Sequence, residues 1–356
     1  MNDAGQAGPG VPPQVDGSQV GSRVRGLLHG LAVGEVLGSG AASTEAANAT
    51  LRHGVATQLA CFTAAASIRT SLRRALGGTP DARADLLEAY RRWVRMWTAT
   101  GRAPSSTGAW LDEVPLFAQP VGEAADTVRG LATGSGGTRT DPVTTSDGWH
   151  ALARALPLAA QVERDPARAV ESAVDSAALT HGPRSFAPSA LAVLVAGAAV
   201  RTGDVGDAVA EGITSAILLG VDFAAVSVVD DAVRAARETP ASPVVLRSGA
   251  PDDSAASTLW GATYCLLSHP GADAAGAAFA LAATAPHLVA VSAVTGALLG
   301  AAHGDVALPQ TVLTRVDLAY VIDRLARDLA RENRPNPDGS WGAAADPVRR
   351  ARYGID

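Results

Sequence analysis

The sequence predicts an all-α protein: a compact multi-helix domain with a single core wrapped by about a dozen helices. Three observations lead there. Alanine supplies 75 of the 356 residues, the strongest helix former in the most frequent place. Apolar residues recur at three- and four-residue intervals over long segments, with little of the alternation that marks strands. The hydrophobic fraction is 47% against 18% charged, enough apolar surface to fill a core and too much for a disordered chain.

The elements follow in order. Residues 1–21 are rich in Gly, Pro, Gln and Ser and read as a disordered leader without the basic and apolar regions of a signal peptide. Helices are expected at Arg23–Gly38 and Thr57–Arg74, and at Asp85–Thr98, where Leu86, Tyr90, Trp93 and Trp97 form one apolar stripe that reads as core. Residues 99–145 read as loop, with a short helix near Glu123–Leu131. Helices resume at His150–Val162, Pro166–Leu179, Ser189–Arg201, Val205–Leu219 and Ala225–Glu238. A Pro-, Ser-, Gly- and Asp-rich connection spans 239–254, and further helices are expected at 255–268, 271–283, 287–302 and Thr314–Glu332. One domain therefore covers 22–332, and residues 333–356 read as a loosely held tail. The apolar stretch Ala274–Ala302 is long enough to cross a membrane, but Gly276, Pro286 and His287 interrupt it, so two buried helices are expected instead.

The formal net charge is −6 and lysine is absent, so every fixed side-chain cation is an arginine. Mild acidity offers no basic footprint for nucleic acid or an anionic membrane, and neither is expected as a partner. Cys61 and Cys265 are too few for a disulfide scaffold or zinc cluster and read as buried thiols in the cytoplasm. A lysine-containing phosphate loop is impossible, and neither a dinucleotide-binding glycine turn nor a nucleophile elbow appears.

Four segments then stand out in order: RVRGLLHGLAVGEVLG at 23–38, SDGWHALARALP at 146–157, AALTHGP at 177–183 and PHLVAVSAVTGALLGAAHG at 286–304. Together they resemble the ADP-ribosylglycohydrolase family, over roughly residues 22–330. The resemblance implies an all-α fold and hydrolysis of a glycosidic bond at the ribose C1″ of ADP-ribose. It also implies two magnesium or manganese ions held by carboxylates and threonine hydroxyls, which orient the ribose and activate a water.

At the positions where the resemblance puts metal ligands, this chain carries Gly54, Val55, Ala56 and Thr57 early, and His287, Leu288, Val289 and Ala290 late. Only Thr57 keeps an oxygen, so the family's magnesium or manganese is expected to be lost, leaving no cofactor. The aspartate expected after Gly34 is Glu35, and the next glutamate falls at Ala42, with Glu45 a turn later. In the second segment Trp149 and His150 follow Gly148 where the family has small residues. They either fill a disused pocket or form a new wall for a different ligand. Thr57, Ser146, Gly148, Trp149, His150 and His287 are the candidate ligand-binding residues. His53, His150 and His287 would converge on one cleft if the resemblance holds.

Three readings of function stay open. The first is a pseudoenzyme that binds an ADP-ribose-like molecule, another small ligand or a protein partner. The second is an active, metal-independent glycohydrolase with Glu35, His150 and His287 as its acids and bases, helped by Glu45 and His53. The third is a scaffolding subunit.

Overall fold

The computed structural model describes residues 17–98, 109–132, 134–336, 340–342 and 347–355. Among these residues the chain is helical, and its β-type pairing is confined to isolated bridges. The first part comprises α1 (Gly17–Gly38), α2 (Ala41–Thr44), α3 (Val55–Ala75), α4 (Ala82–Thr98), α5 (Ala125–Ala132), α6 (His150–Ala155) and α7 (Pro166–Ala178). The second comprises α8 (Phe186–Thr202), α9 (Val205–Leu218), α10 (Phe223–Glu238), α11 (Pro243–Gly249) and α12 (Ala255–Ser268). The last comprises α13 (Ala275–Ala282), α14 (Leu288–His303), α15 (Gln310–Leu313), α16 (Ala319–Glu332) and α17 (Pro347–Arg352).

One buried helix and one long-range pairing organise the core. α8 runs through the interior, and every residue from Pro188 to Val200 is buried, which explains why it lacks an amphipathic stripe. The segment Pro183–Thr202 is long and apolar enough to cross a membrane by length and composition, yet most of it is buried inside this fold. The pairing joins α1 to α14, helices far apart in sequence. A Cβ on Gly30 would stand 1.9 Å from the Gly296 carbonyl oxygen, and one on Gly300 would stand 1.9 Å from that of Gly26. The two backbones therefore touch, and glycine at every fourth position along α1 is what lets them.

Five helices start where a local side chain caps them. Asp165, Asp204, Asp222, Ser242 and Ser254 each accept a backbone N–H in the first turn of the following helix. The apolar stretch 274–302 breaks at Pro286 into α13 and α14.

The structure corrects several expectations. α1 begins at Gly17, so the end of the expected leader is helical; residues 1–16 lie outside the described residues. Arg23 anchors that helix by donating to the Val200 and Arg201 carbonyls at 3.1 Å. Residues 99–108 also lie outside the described residues, but 110–113 and 115–118 form short 3-10 turns. The connection 239–254 contains α11, capped by Ser242 with Pro243 at its first position. The described part of the tail is docked, not loosely held. Arg349 and Glu332 are both buried and 3.2 Å apart, while Arg352 and the Tyr353 hydroxyl reach Asp328 at 2.7 and 2.9 Å.

Candidate functional site

The first turn of α3 leaves backbone N–H groups without intrahelical acceptors. Its N-cap, Gly54, has no side chain to receive them. The acceptor comes from α1. Glu35 Oε1 accepts from Ala56 N–H at 2.9 Å, and Oε2 accepts from Thr57 N–H at 3.0 Å and from the Thr57 hydroxyl at 2.7 Å. All four groups are sealed: Glu35 is 3% exposed, Val55 3%, Ala56 0% and Thr57 2%. A Cβ on Gly54 would lie 2.1 Å from the Glu35 carboxyl carbon, so the carboxylate occupies the space a side chain at position 54 would need. Burial pushes the Glu35 carboxyl above its ordinary range, against the pull of the Thr57 and Ala56 donors.

His53, just before this turn, is locked in a chain of polar contacts. Trp93 Nε1–H donates to Gln58 Oε1 at 2.8 Å, which fixes the orientation of that amide. Gln58 Nε2 then donates to His53 Nε2 at 2.9 Å, leaving His53 Nδ1 to donate to Asp317 Oδ1 at 2.7 Å. Burial raises the Asp317 carboxyl, and the His53 hydrogen bonds outweigh it, holding the group below its ordinary range. Both His53 nitrogens are thus committed to structure. Gln58 and Asp317 escaped the sequence reading because nothing in the sequence links Asp317 to His53, 264 positions away.

The 144–149 segment is stitched on both sides. Gly182 N–H donates to the Ser146 carbonyl at 2.6 Å, Trp149 N–H to that of Asp253 at 2.9 Å and Ala255 N–H to that of Asp147 at 2.7 Å. Ser146 Oγ donates to Asp126 at 2.7 Å. Trp149 is 7% exposed and belongs to the main apolar core, and the His150 ring lies 4.4 Å from its centroid. His150 Nε2 is sealed from solvent without a hydrogen-bond partner, and burial, then the charge of Arg154, pushes the imidazole down to about 4. Arg154 is itself fully buried, over the Tyr90 ring at 4.7 Å, donating to the Ser176 carbonyl at 2.5 Å and Thr180 Oγ1 at 2.7 Å. His181 Nδ1 meets the same threonine oxygen at 2.8 Å, and its imidazole is also held far below the ordinary range by burial and by Arg154.

The start of α14 contributes little chemistry. His287 is its N-cap residue, exposed and without a capping side-chain bond. Leu288 and Val289 are half-buried and Ala290 is 2% exposed. The Gly38 end of α1 packs here: a Cβ on it would meet Val289 Cα at 2.7 Å. Glu45 is exposed, at the end of α2.

The expected residues thus fall into three groups. Glu35, His53, Gly54, Val55, Ala56 and Thr57 gather at the start of α3, Ser146, Gly148, Trp149 and His150 before and in α6, and His287 with Leu288, Val289 and Ala290 at α14. No hydrogen bond links His53, His150 and His287 to one another. The donor set does not fit a pair of hard divalent cations, which want several oxygen ligands each. Val55, Ala56, Leu288, Val289 and Ala290 have none to offer, and the oxygens of Glu35 and Thr57 are bonded to one another and to α3. Among the described residues no three His, Cys, Asp or Glu side chains group so as to hold a metal ion.

Comparison with known proteins agrees with this architecture. The family model described as ADP-ribosylglycohydrolase matches residues 16–338. A solved structure titled ADP-ribosylglycohydrolase-related protein complex superposes with a TM-score of 0.58 at 22% identity, over 89% of this chain and 100% of its own, which is likeness of fold. No curated protein matches the chain with significance.

Proposed function

The chain belongs to the ADP-ribosylglycohydrolase family, and from that membership we propose that it is a member without hydrolytic activity, acting by binding an ADP-ribose-like ligand or a protein partner. The observation that carries this reading is the Glu35 carboxylate. It spends both oxygens on Ala56 and Thr57 and leaves no room for a side chain at position 54. An oxocarbenium-like transition state needs developing charge stabilised and a water activated. A sealed, internally satisfied helix start supplies neither.

One observation favours the alternative, a metal-independent glycohydrolase. Burial raises the Glu35 carboxyl, as a general acid requires. Against it, Glu35 is buried, and His150, pushed down to about 4, is neutral near pH 7 and packed against Trp149.

The test incubates the protein with substrates ADP-ribosylated on arginine or serine and counts free ADP-ribose, with and without magnesium or manganese. No release is expected, and Val55→Asp should not restore it, because one carboxylate cannot rebuild a two-ion centre. Metal-dependent turnover of about 1 per second, abolished by chelator, would overturn the proposal. Metal-independent turnover lost in Glu35→Ala or His150→Ala would establish the alternative. A rise in melting temperature with ADP-ribose would assign the ligand.

A further inference from the structure

The far end of α3 carries a polar recess. Arg74 lies 17 residues beyond Thr57, about 25 Å along the helix axis. A recess of about 290 Å³ opens there, between the C-terminal half of α3 and the start of α7. Three arginines line it: Arg74 from α3, and Arg164 and Arg168 from either side of the α7 N-cap, Asp165.

Each arginine is poorly accounted for by the fold. Arg74 sits in the last turn of α3, where a cation suits the helix dipole, but its neighbour Arg73 is there too and is paired with Asp85 at 3.0 Å. Arg164 and Arg168 flank the start of α7, the positive end of its dipole, where cations are unfavourable; the first turn of that helix contains no acid. Neither Arg74 nor Arg164 makes an ion pair within 4.0 Å among the described residues, and Arg168 has only Asp165, at 3.8 Å. The Asp165 carboxylate is already engaged by the Arg168 backbone N–H at 3.0 Å. Burial lowers the Arg74 guanidinium from its ordinary value, and the charges of Arg168 and Arg164 lower it further. Three cations face one carboxylate, so they repel one another and a dianion would relieve them.

The remaining lining suits an oxyanion. Ser67 Oγ accepts from Gln161 Nε2 at 2.6 Å, so its own O–H is free to donate inward. Guanidinium forks match phosphate oxygens in pairs. The volume exceeds that of a bare anion, and a narrow crevice lined by Ala82, Leu86 and Leu158 continues from the recess. We propose that this recess binds a dianionic phosphoryl group through Arg74, Arg164, Arg168 and the Ser67 hydroxyl, independently of the chemistry at the start of α3.

Calorimetric titration of the full chain at constant ionic strength tests this, with inorganic phosphate and phenyl phosphate as probes and chloride as the control. Saturable one-to-one binding of phosphate or its ester, without a chloride equivalent, is expected. The double variant Arg164→Gln/Arg168→Gln should weaken it about tenfold or more, as loss of charge-assisted bonds requires. Arg234→Gln, an exposed arginine on α10, should leave it unchanged. Arg168 is exposed and Arg164 half-buried, and a circular-dichroism melt checks that the double variant is folded. Tighter binding of phenyl phosphate assigns a phosphorylated small molecule; equal binding assigns the free anion. Heats no greater than those of chloride, or equal affinity in the double variant, would overturn the proposal.

Discussion

Glu35 acts as a helix cap supplied from a different helix, and its length decides that role. An aspartate in its place would be one methylene shorter, whereas Glu35 reaches Ala56 and Thr57 directly. Glu35→Ala leaves three buried donors unanswered and should destabilise the fold by about 1–3 kcal/mol, read from urea unfolding. Gly54→Ala should destabilise through the clash with the Glu35 carboxyl, and Gly54→Ala/Glu35→Ala should cost less than the sum of the two, a coupling of about 0.5–3 kcal/mol. Strict additivity would mean that the two residues do not share that space. The pH dependence has a definite sign. Because the folded value is raised, the protonated Glu35 contributes stability that is full below 4.5 and lost as pH rises through the folded value. The stability of the parent minus that of Glu35→Gln should therefore fall as pH rises above 4.5; a flat difference counts against it. The sequence placed Glu35, Gly54 and Thr57 in aligned segments, yet the capping contact spans 21 positions and arises only when α1 meets α3. Local pattern does not encode it.

At the scale of elements, the α1–α14 seam is the most exacting contact in the molecule. Gly30→Ala or Gly296→Ala inserts a methyl into the opposing backbone, a rigid neighbour that cannot rotate away. Each should cost about 3 kcal/mol or more, the upper end of overpacking, seen as a lower denaturation midpoint. Gly276→Ala on α13 meets nothing within 4 Å and should instead stabilise by about 0.4–1 kcal/mol. If all three behave alike, close approach is not what selects glycine here. The helices themselves were readable from alanine content and spacing, because amphipathic periodicity is a local property. α11 was missed although Ser242-Pro243 is a sound start signal, because a seven-residue helix among turn formers leaves no period to read. The docked tail was missed because polar composition hides Arg349, which enters the core only with Glu332 as its partner.

Across the whole molecule, three histidines make the fold sensitive to acid. Burial pushes His29 and His150 down to about 4 and His181 well below its ordinary range. Unfolded imidazoles protonate near 6.5, so the stability these groups contribute is full above that value and is lost as pH falls from 6.5 towards 4. Glu35 and Glu332, whose carboxyls burial raises, run the other way, while the depressed carboxyls of Asp305 and Asp317 add to the loss in acid. Acid titration followed by fluorescence should show unfolding begin below pH 6.5, and His181→Gln should flatten the curve if the variant folds. A parent stable to pH 4 without change would refute this.

The seam between α1 and α14 also sets a timetable. α1 leaves the ribosome long before α14, and its glycine face has no partner until Leu288–His303 has been made. Closing so distant a contact late is slow, and the intervening helices must wait with apolar surface uncovered. A nascent chain arrested before residue 288 should thus remain protease-sensitive and chaperone-bound, and α14 added in trans as a peptide should compete for the vacant face of α1.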